Sequence, residues 1–357
     1  LLGELDALRI PEHAFANPET NAAHCCGHHA QMAGVFGAAL ALTVPEIAEK
    51  LDGQVVFFAT PAEEYGEIEF KNQLREQGKI RYGGGKCELL RIGAFDDIDL
   101  CLTHHIRPGN EILVGSGTGN GFVSKVIRVL GKASHAAGAP EKGVNALSAA
   151  SLGLQALGLN RETFRDEDCV RVHPIITKGG NLVNVIPDEV VVETLVRGKT
   201  IEAFTDAAKK TDRSFKAGAI AMGAKVEIST LPGYLPTLAE EALPELKHAA
   251  EISASGIPVI EASGHAGGST DVGDVQHLMP VYTFNTGGVK GGLHQIDFEV
   301  TDEEEAYIVT AKMFALAAYG LLKEKAQRSR ELVDQYEPVF KNSAEYVEFM
   351  EQFDSKE

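Results

Sequence analysis

The sequence predicts an α/β protein with a smaller α+β unit inserted near its middle. Two textures carry this reading. Short apolar runs at 54–60, 98–103 and 280–284 alternate with helical periodicity at 30–42 and 301–322, as in a sheet buried on both faces. Between 124 and 229 the strands alternate polar and apolar residues, as half-exposed strands do. Their order there is strand, helix, strand, strand, helix, strand, which makes a small open-faced sandwich. The expected architecture is a three-layer α/β/α domain at 1–117 and 232–357, discontinuous in sequence, with the sandwich at 118–231.

Each element has its own signal. Residues 54–60 (Gln-Val-Val-Phe-Phe-Ala-Thr) read as a buried strand that ends at Pro61-Ala62-Glu63-Glu64. Residues 98–103 form a second strand running into His104-His105, and 280–284 a third ending at Asn285-Thr286-Gly287-Gly288. The Ala/Leu-rich stretch 30–42 reads as a helix. Thr301-Asp302-Glu303-Glu304 is a capping-box pattern opening a helix to about Leu322. In the insert, 124–131, 170–177, 190–197 and 225–229 are the strands, and 145–159 and 201–222 the helices. The tail beyond Leu322 is charged and helical in pattern, with Tyr346, Phe349, Met350 and Phe353 at helical spacing, and packs on a partner or on the domain.

Composition limits the function. The chain has 357 residues, a formal net charge of -18 and 44% hydrophobic residues, with no basic cluster. Nucleic acid and anionic membrane are poor partners for such a surface. A small anionic substrate, needing one or two local cations, fits. No contiguous apolar run approaches the roughly 18 residues of a membrane span. The first residues show no secretory signal. Five cysteines, an odd number with Cys25 and Cys26 adjacent, argue against a disulfide framework and for a reducing cytoplasm.

The twelve histidines are grouped. His24-Cys25-Cys26-Gly27-His28-His29 precedes the 30–42 helix and offers thiolate and imidazole, the donors a zinc-like ion prefers. Pro61-Ala62-Glu63-Glu64 places two carboxylates at a strand's carboxyl end, where α/β sites form. One carboxylate can bind metal while the other acts as general base. His104-His105 stands at the end of the second strand, and Gly291-Gly292-Leu293-His294 follows the third. A lone histidine is usually structural; four such clusters at element ends point to one centre.

In this order Cys-Gly-His, Pro-Ala-Glu-Glu, a strand-end His and a C-terminal Leu-His resemble the dinuclear metallopeptidase family of aminoacylases and amidohydrolases, which includes hippurate, auxin-conjugate and aminobenzoyl-glutamate hydrolases. Gly83-Gly84-Gly85-Lys86, Gly131-Lys132-Ala133-Ser134-His135 and Asn184-Val185-Ile186-Pro187 also match, and Gly268-Ser269-Thr270-Asp271 resembles the aminobenzoyl-glutamate branch. The resemblance implies a metallopeptidase catalytic domain with a lid and dimerisation domain. It also implies two divalent ions per subunit, zinc or manganese first, cobalt or nickel as alternatives, held by Cys26, His28, Glu64, His105 and His294. Glu63 would be the general base. His135 would stabilise the oxyanion, in relatives from a neighbouring subunit. Asn184 and Arg197 would contact the substrate, an N-acyl or aminobenzoyl amino acid or a dipeptide, and the protein would be a cytoplasmic homodimer.

The chain departs from the pattern in places. His29 stands where Asp or Asn is usual, and His104 competes with His105, which the His-x-x-Pro spacing favours. A charged segment at 65–82 separates the paired glutamates from the glycines, as a specificity loop or as an excursion touching nothing. Arg9 replaces Pro after Asp6-Ala7-Leu8. Two other readings stand beside the amidohydrolase: a catalytically inactive metal- or peptide-binding relative, and a thiol hydrolase using Cys26.

Overall fold

In the computed structural model, which describes residues 1–357, the apolar runs form the strands of a central sheet. The chain begins with β1 (Leu2–Glu4), α1 (His28–Leu42) and β2 (Phe58–Thr60), followed by the short helices α2 (Ile68–Glu76) and α3 (Gly85–Arg91). β3 (Cys101–Ile106) and β4 (Ile112–Val114) complete the first half. β2 is shorter than the 54–60 run predicts, because its partner β1 offers pairing only from Leu2 to Glu4. β3 continues past its expected end and takes His104 and His105 into the strand itself.

The chain then crosses into an antiparallel sheet. Its strands are β5 (Gly121–Leu130), β6 (Arg171–Val172), β7 (Ile175–Lys178), β8 (Glu189–Gly198) and β9 (Lys225–Tyr234), with α4 (Ala146–Asn160) and α5 (Ile201–Met222) on one face. Asn145 and Thr200 cap the two helices, accepting from Ser148 N and Ala203 N, and Gly223 ends α5 in the left-handed region. The single strand expected at 170–177 is split at His173-Pro174, since proline has no N–H for the ladder. Alternation predicts a half-exposed β5, yet it is buried along nearly its whole length. Ile127 and Val129 pack under α4 and α5. Phe122 and Val126 share a core with Tyr65 and Ile68 of the 65–82 segment, which therefore covers part of the sheet's other face.

Back in the central sheet, β10 (Val259–Glu261) and β11 (Val281–Thr286) give the order β10-β4-β11-β3, with β1 beside β3. β3 and β11 run parallel. α6 (Thr310–Gln335) packs on α1 across one face, over Leu102, Ile112 and Phe284. Leu90, Phe95 and Met279 line the other. The capping box behaves differently from its pattern. The Thr301 hydroxyl donates to Gly288 O, Asp302 accepts from Glu305 N, and the first turns, Glu304–Val309, are π-helical. The helix breaks at Lys323–Ala326, just after the expected Leu322. The stretch Glu304–Gln335 is long and apolar enough by composition to cross a membrane, although no contiguous apolar run within it is; half of its apolar window is buried within the fold.

The tail crosses between the two sheets. α7 (Ser343–Glu351) buries Tyr346 and Met350 against the central domain, where the Tyr346 hydroxyl donates to Asp274 at 2.8 Å. β12 (Ser355–Lys356) then pairs antiparallel with β9 of the inserted sheet. Phe353 packs on Phe204 of α5, and Asp354 takes both Arg75 and Arg81 at 2.8 Å.

Candidate metal centre

Five segments distant in sequence meet at the carboxyl ends of β1, β2, β3 and β11. Gly27 makes the first turn possible: its φ is +83°, and a Cβ there would lie 2.0 Å from Ile106 Cγ2. The turn points Cys26 inward and makes His28 the buried first residue of α1. His28 Nδ1 lies 3.1 Å from Asp6 O and 3.3 Å from Asp6 Oδ1, which assigns a proton to that nitrogen and turns Nε2 toward the other donors. Asp6 is held in turn by Glu64 N at 2.8 Å.

Strand periodicity separates the adjacent histidines of β3. His104 faces the α1/α6 layer, 2.8 Å from Thr286 Oγ1 and against Phe284. His105 faces the opposite way. Its Nδ1 donates to Ile106 O at 2.7 Å, and its Nε2 lies 3.4 Å from Cys26 Sγ. His294 enters on a left-handed backbone, φ 64°, pinned by its N–H to Cys25 O at 2.8 Å. Its Nε2 stands 3.2 Å from Cys26 Sγ and 2.9 Å from Glu64 Oε1. Ala62, also left-handed at φ 56°, turns the chain so that Glu63 and Glu64 both reach the site.

The donor atoms form two triads that share Cys26. One is Cys26, His28 and His105; the other is Cys26, Glu64 and His294; within each, the atoms lie within 4.8 Å of one another. Buried His28 Nε2 and Glu64 Oε1 make no hydrogen bond of good geometry and face only other ionisable donors, Glu4 Oε2 at 3.3 Å and His294 Nε2 at 2.9 Å. The nitrogen–sulfur separations match the roughly 3.1–3.6 Å edge between two ligands at ordinary zinc distances. Thiol, imidazole and carboxylate donors of this kind, converging with orphaned atoms, fit a pair of divalent cations. His29, beside His24 and Tyr307, belongs to neither triad.

Charge explains how the site is held. Burial raises the Glu63 pKa well above the carboxylate range, and the negative Glu4 and Asp271 raise it further. Burial also raises that of Glu64, but His294 and His28 outweigh it and bring it below normal. For His28, burial is overcome by Asp6, Glu4 and Glu63, which raise its pKa to about 9. Burial and the Glu64 and Glu63 charges push the Cys26 thiol up. Behind Glu63 lies a buried lysine. Lys86 Nζ sits 2.5 Å from Glu4 Oε1 and 2.6 Å from Asp271 Oδ1, and Glu4 Oε2 stands 3.3 Å from His28 Nε2. Glu4 and the roles of Lys86 and Asp271 escaped the sequence reading. Their signals were the Gly-Gly-Gly-Lys and Gly-Ser-Thr-Asp stretches.

A cavity of about 820 Å3 opens onto the donors and is lined further on by Arg197, His265 and Ser269. Arg197 Nη1 donates to Ser269 Oγ at 3.0 Å. His135 and Asn184 lie elsewhere, on an exposed loop of the inserted unit where Ala136 N donates to Asn184 O, and neither lines the cavity of its own chain.

A model of the peptidase family M20/M25/M40 matches residues 1–319. The Xaa-Arg dipeptidase of Mus musculus is 28% identical over 85% of the chain and 64% of its own length. A p-aminobenzoyl-glutamate hydrolase polypeptide of Escherichia coli is 30% identical over 64% of the chain and 44% of its own length. The chain thus spans less than two thirds of these relatives. The crystal structure of the YXEP protein of Bacillus subtilis, a dinuclear metal-binding peptidase, superposes with a TM-score of 0.59 over 90% of the chain and 80% of that protein, at 24% identity, and shares its fold.

Proposed function

This chain belongs to the peptidase family M20/M25/M40, and from that membership we propose that it hydrolyses the amide bond of an N-acyl amino acid, an aminobenzoyl amino acid or a dipeptide. The observation that carries the reading is the pair of donor triads sharing Cys26 beside the half-buried Glu63, in a cavity that also holds Arg197.

Cys26, His28 and His105 would hold one divalent cation, and Cys26, Glu64 and His294 the other. When bound, such cations lower the pKa of water towards about 7 and polarise a carbonyl. Glu63 does the proton work. It reaches the donors from the residue before Glu64, placed to accept the proton of the attacking water and return it to the leaving nitrogen. Arg197, steadied by Ser269 and lying over the Phe122 ring, binds the substrate carboxylate next to the scissile amide. His135 and Asn184 would serve an oxyanion only from a second copy, which makes a homodimer through the inserted unit part of this proposal. The thiol and imidazole donors favour zinc, and the carboxylate of Glu64 suits manganese as well.

The thiol-hydrolase reading loses support here. A nucleophilic cysteine needs a depressed pKa, and the surroundings of Cys26 raise it. The test is metal analysis of the purified protein together with a screen of N-acyl amino acids, aminobenzoyl-glutamate and dipeptides. Glu63→Gln is expected to keep its metal and lose about 10²–10⁴-fold in turnover. Near-wild-type turnover in that variant would overturn the assignment of the base.

A further inference from the structure

The loop carrying Glu63 and Glu64 is tied to both strands by which the chain enters and leaves the inserted sheet. Phe122 stands near the start of β5 and Tyr234 ends β9, and the two are register partners beside the irregularity between Pro232 and Tyr234. Tyr65 packs edge-on against both, at 5.1 Å from Phe122 and 5.5 Å from Tyr234, and those two rings are 4.7 Å apart. Two hydroxyls cross between the segments in opposite directions. Tyr65 donates to Pro232 O at 3.0 Å, and Tyr234 donates to Glu63 O. Gly83 and Gly84 leave room for the rings, since a Cβ on either would come within 2.5 Å or 2.2 Å of Tyr65 or Tyr234. Lys71 donates to Glu64 O at 2.6 Å and lies over the Tyr65 ring. Arg197 lies over the far partner of the cluster, 5.5 Å from the Phe122 centroid.

We propose that Tyr65 and Tyr234 are positioning residues, a reciprocal brace that couples the orientation of the inserted unit, and through Phe122 the engagement of Arg197, to the placement of Glu63. This rests on the reading of Glu63 as base and Arg197 as substrate anchor. A single hydrogen bond between two segments resists separation; two running in opposite directions, around three interlocked rings, also resist sliding and rotation. A turn of the inserted sheet about its entry and exit strands therefore moves the backbone of Glu63. Displacements on the order of 1 Å at a reacting group cost up to about 10²-fold in rate.

The experiment is a cycle on kcat with Tyr234→Phe, Arg197→Ala and the double variant, repeated with Tyr65→Phe. Tyr234→Phe is expected to lower kcat by about tenfold with KM nearly unchanged and full metal content. The double variant is expected to be little worse than the poorer single one, because the engagement of Arg197 reaches Glu63 only through the brace that Tyr234→Phe already cuts. A residue that only supports the fold gives multiplicative losses instead. A second readout needs no turnover. Amide exchange of 62–66 and of 121–124 in the full chain is expected to open together in the wild type and separately in the Tyr65→Phe/Tyr234→Phe variant. Multiplicative losses in the cycle, or independent opening in the wild type, would overturn the brace. If Glu63→Gln keeps its turnover, the base assignment falls while the exchange result still decides the brace.

Discussion

Lys86 and Asp271 form an ion pair sealed from solvent, Nζ to Oδ1 at 2.6 Å, with both side chains fully buried and 185 residues apart in sequence. The same ammonium holds Glu4, and Asp271 also accepts from Lys86 N at 2.8 Å. Removing it would leave two buried carboxylates facing each other and Glu63. Lys86→Met is expected to cost about 3–5 kcal/mol in denaturant unfolding, the usual result of orphaning a buried charge. Asp271→Asn in the same background should recover part of the loss. An unchanged midpoint in Lys86→Met would remove this pair from the account of the site.

The two neighbouring histidines of β3 should behave oppositely. His105→Ala is expected to lower the bound metal measured by elemental analysis. His104→Phe, on the other face of the strand, should leave metal content intact and cost about 1–3 kcal/mol of stability through the lost contacts with Thr286 and Thr310. Metal loss in His104→Phe alone would reverse the assignment.

Acidity gives a third test, on the metal-free protein. The folded His28 pKa, about 9, lies above the ordinary 6.5. Its stabilisation is therefore complete below about pH 6.5 and disappears as pH rises through 9. Asp6, lowered to about 2 by His28 and Glu64 N against the opposing effect of burial, contributes above its ordinary 3.8 and fails only in strong acid. The difference in melting temperature between wild type and His28→Gln should be large at pH 5–6 and nearly gone by pH 10. A difference that grew with pH would contradict the ion pairs of His28 with Asp6 and Glu4.

The tail offers a fourth. Arg75, whose side chain is only 8% exposed, has Asp354 as its carboxylate partner, whereas Arg81 shares Asp354 with Glu351. Asp354→Ala should leave Arg75 unpaired, loosen β12 from β9 and speed amide exchange and proteolysis of 352–357, with little change at the metal donors. Unaltered protection there would mean that Phe353 packing alone holds the tail.

How much of this was legible in the sequence follows from the range of each interaction. Short, mainly apolar runs bounded by turn residues announced β3 and β11, since a strand in the middle of a covered sheet is mostly apolar. The helices at 145–159 and 201–222 were legible because helical periodicity is local, and the structure adds their caps, Asn145 and Thr200. The His-x-x-Pro spacing favoured His105 over His104, and the structure adds that strand alternation sends His105 to Cys26 and His104 to Thr286 on the other face. Thr301 had the right spacing for a capping box, but Gly288, brought in by the fold, took its hydroxyl. Lys86 was the least visible. A lysine after three glycines reads as solvated until partners 82 and 185 residues away enclose it. The docking of the tail and the 65–82 segment on the inserted sheet was invisible for the same reason.

β12 also makes the two margins of the inserted sheet unlike one another. It lies along one margin of the inserted sheet as a two-residue strand whose side chains are exposed, followed by the Glu357–Lys216 ion pair, a poor template for a further strand. The opposite margin, β7, carries exposed Ile175 and Ile176 and remains unpaired on its outer side. The two margins of the inserted sheet therefore differ: β12 covers the outer edge of β9 with charge beside it, while β7 leaves two isoleucines facing outward.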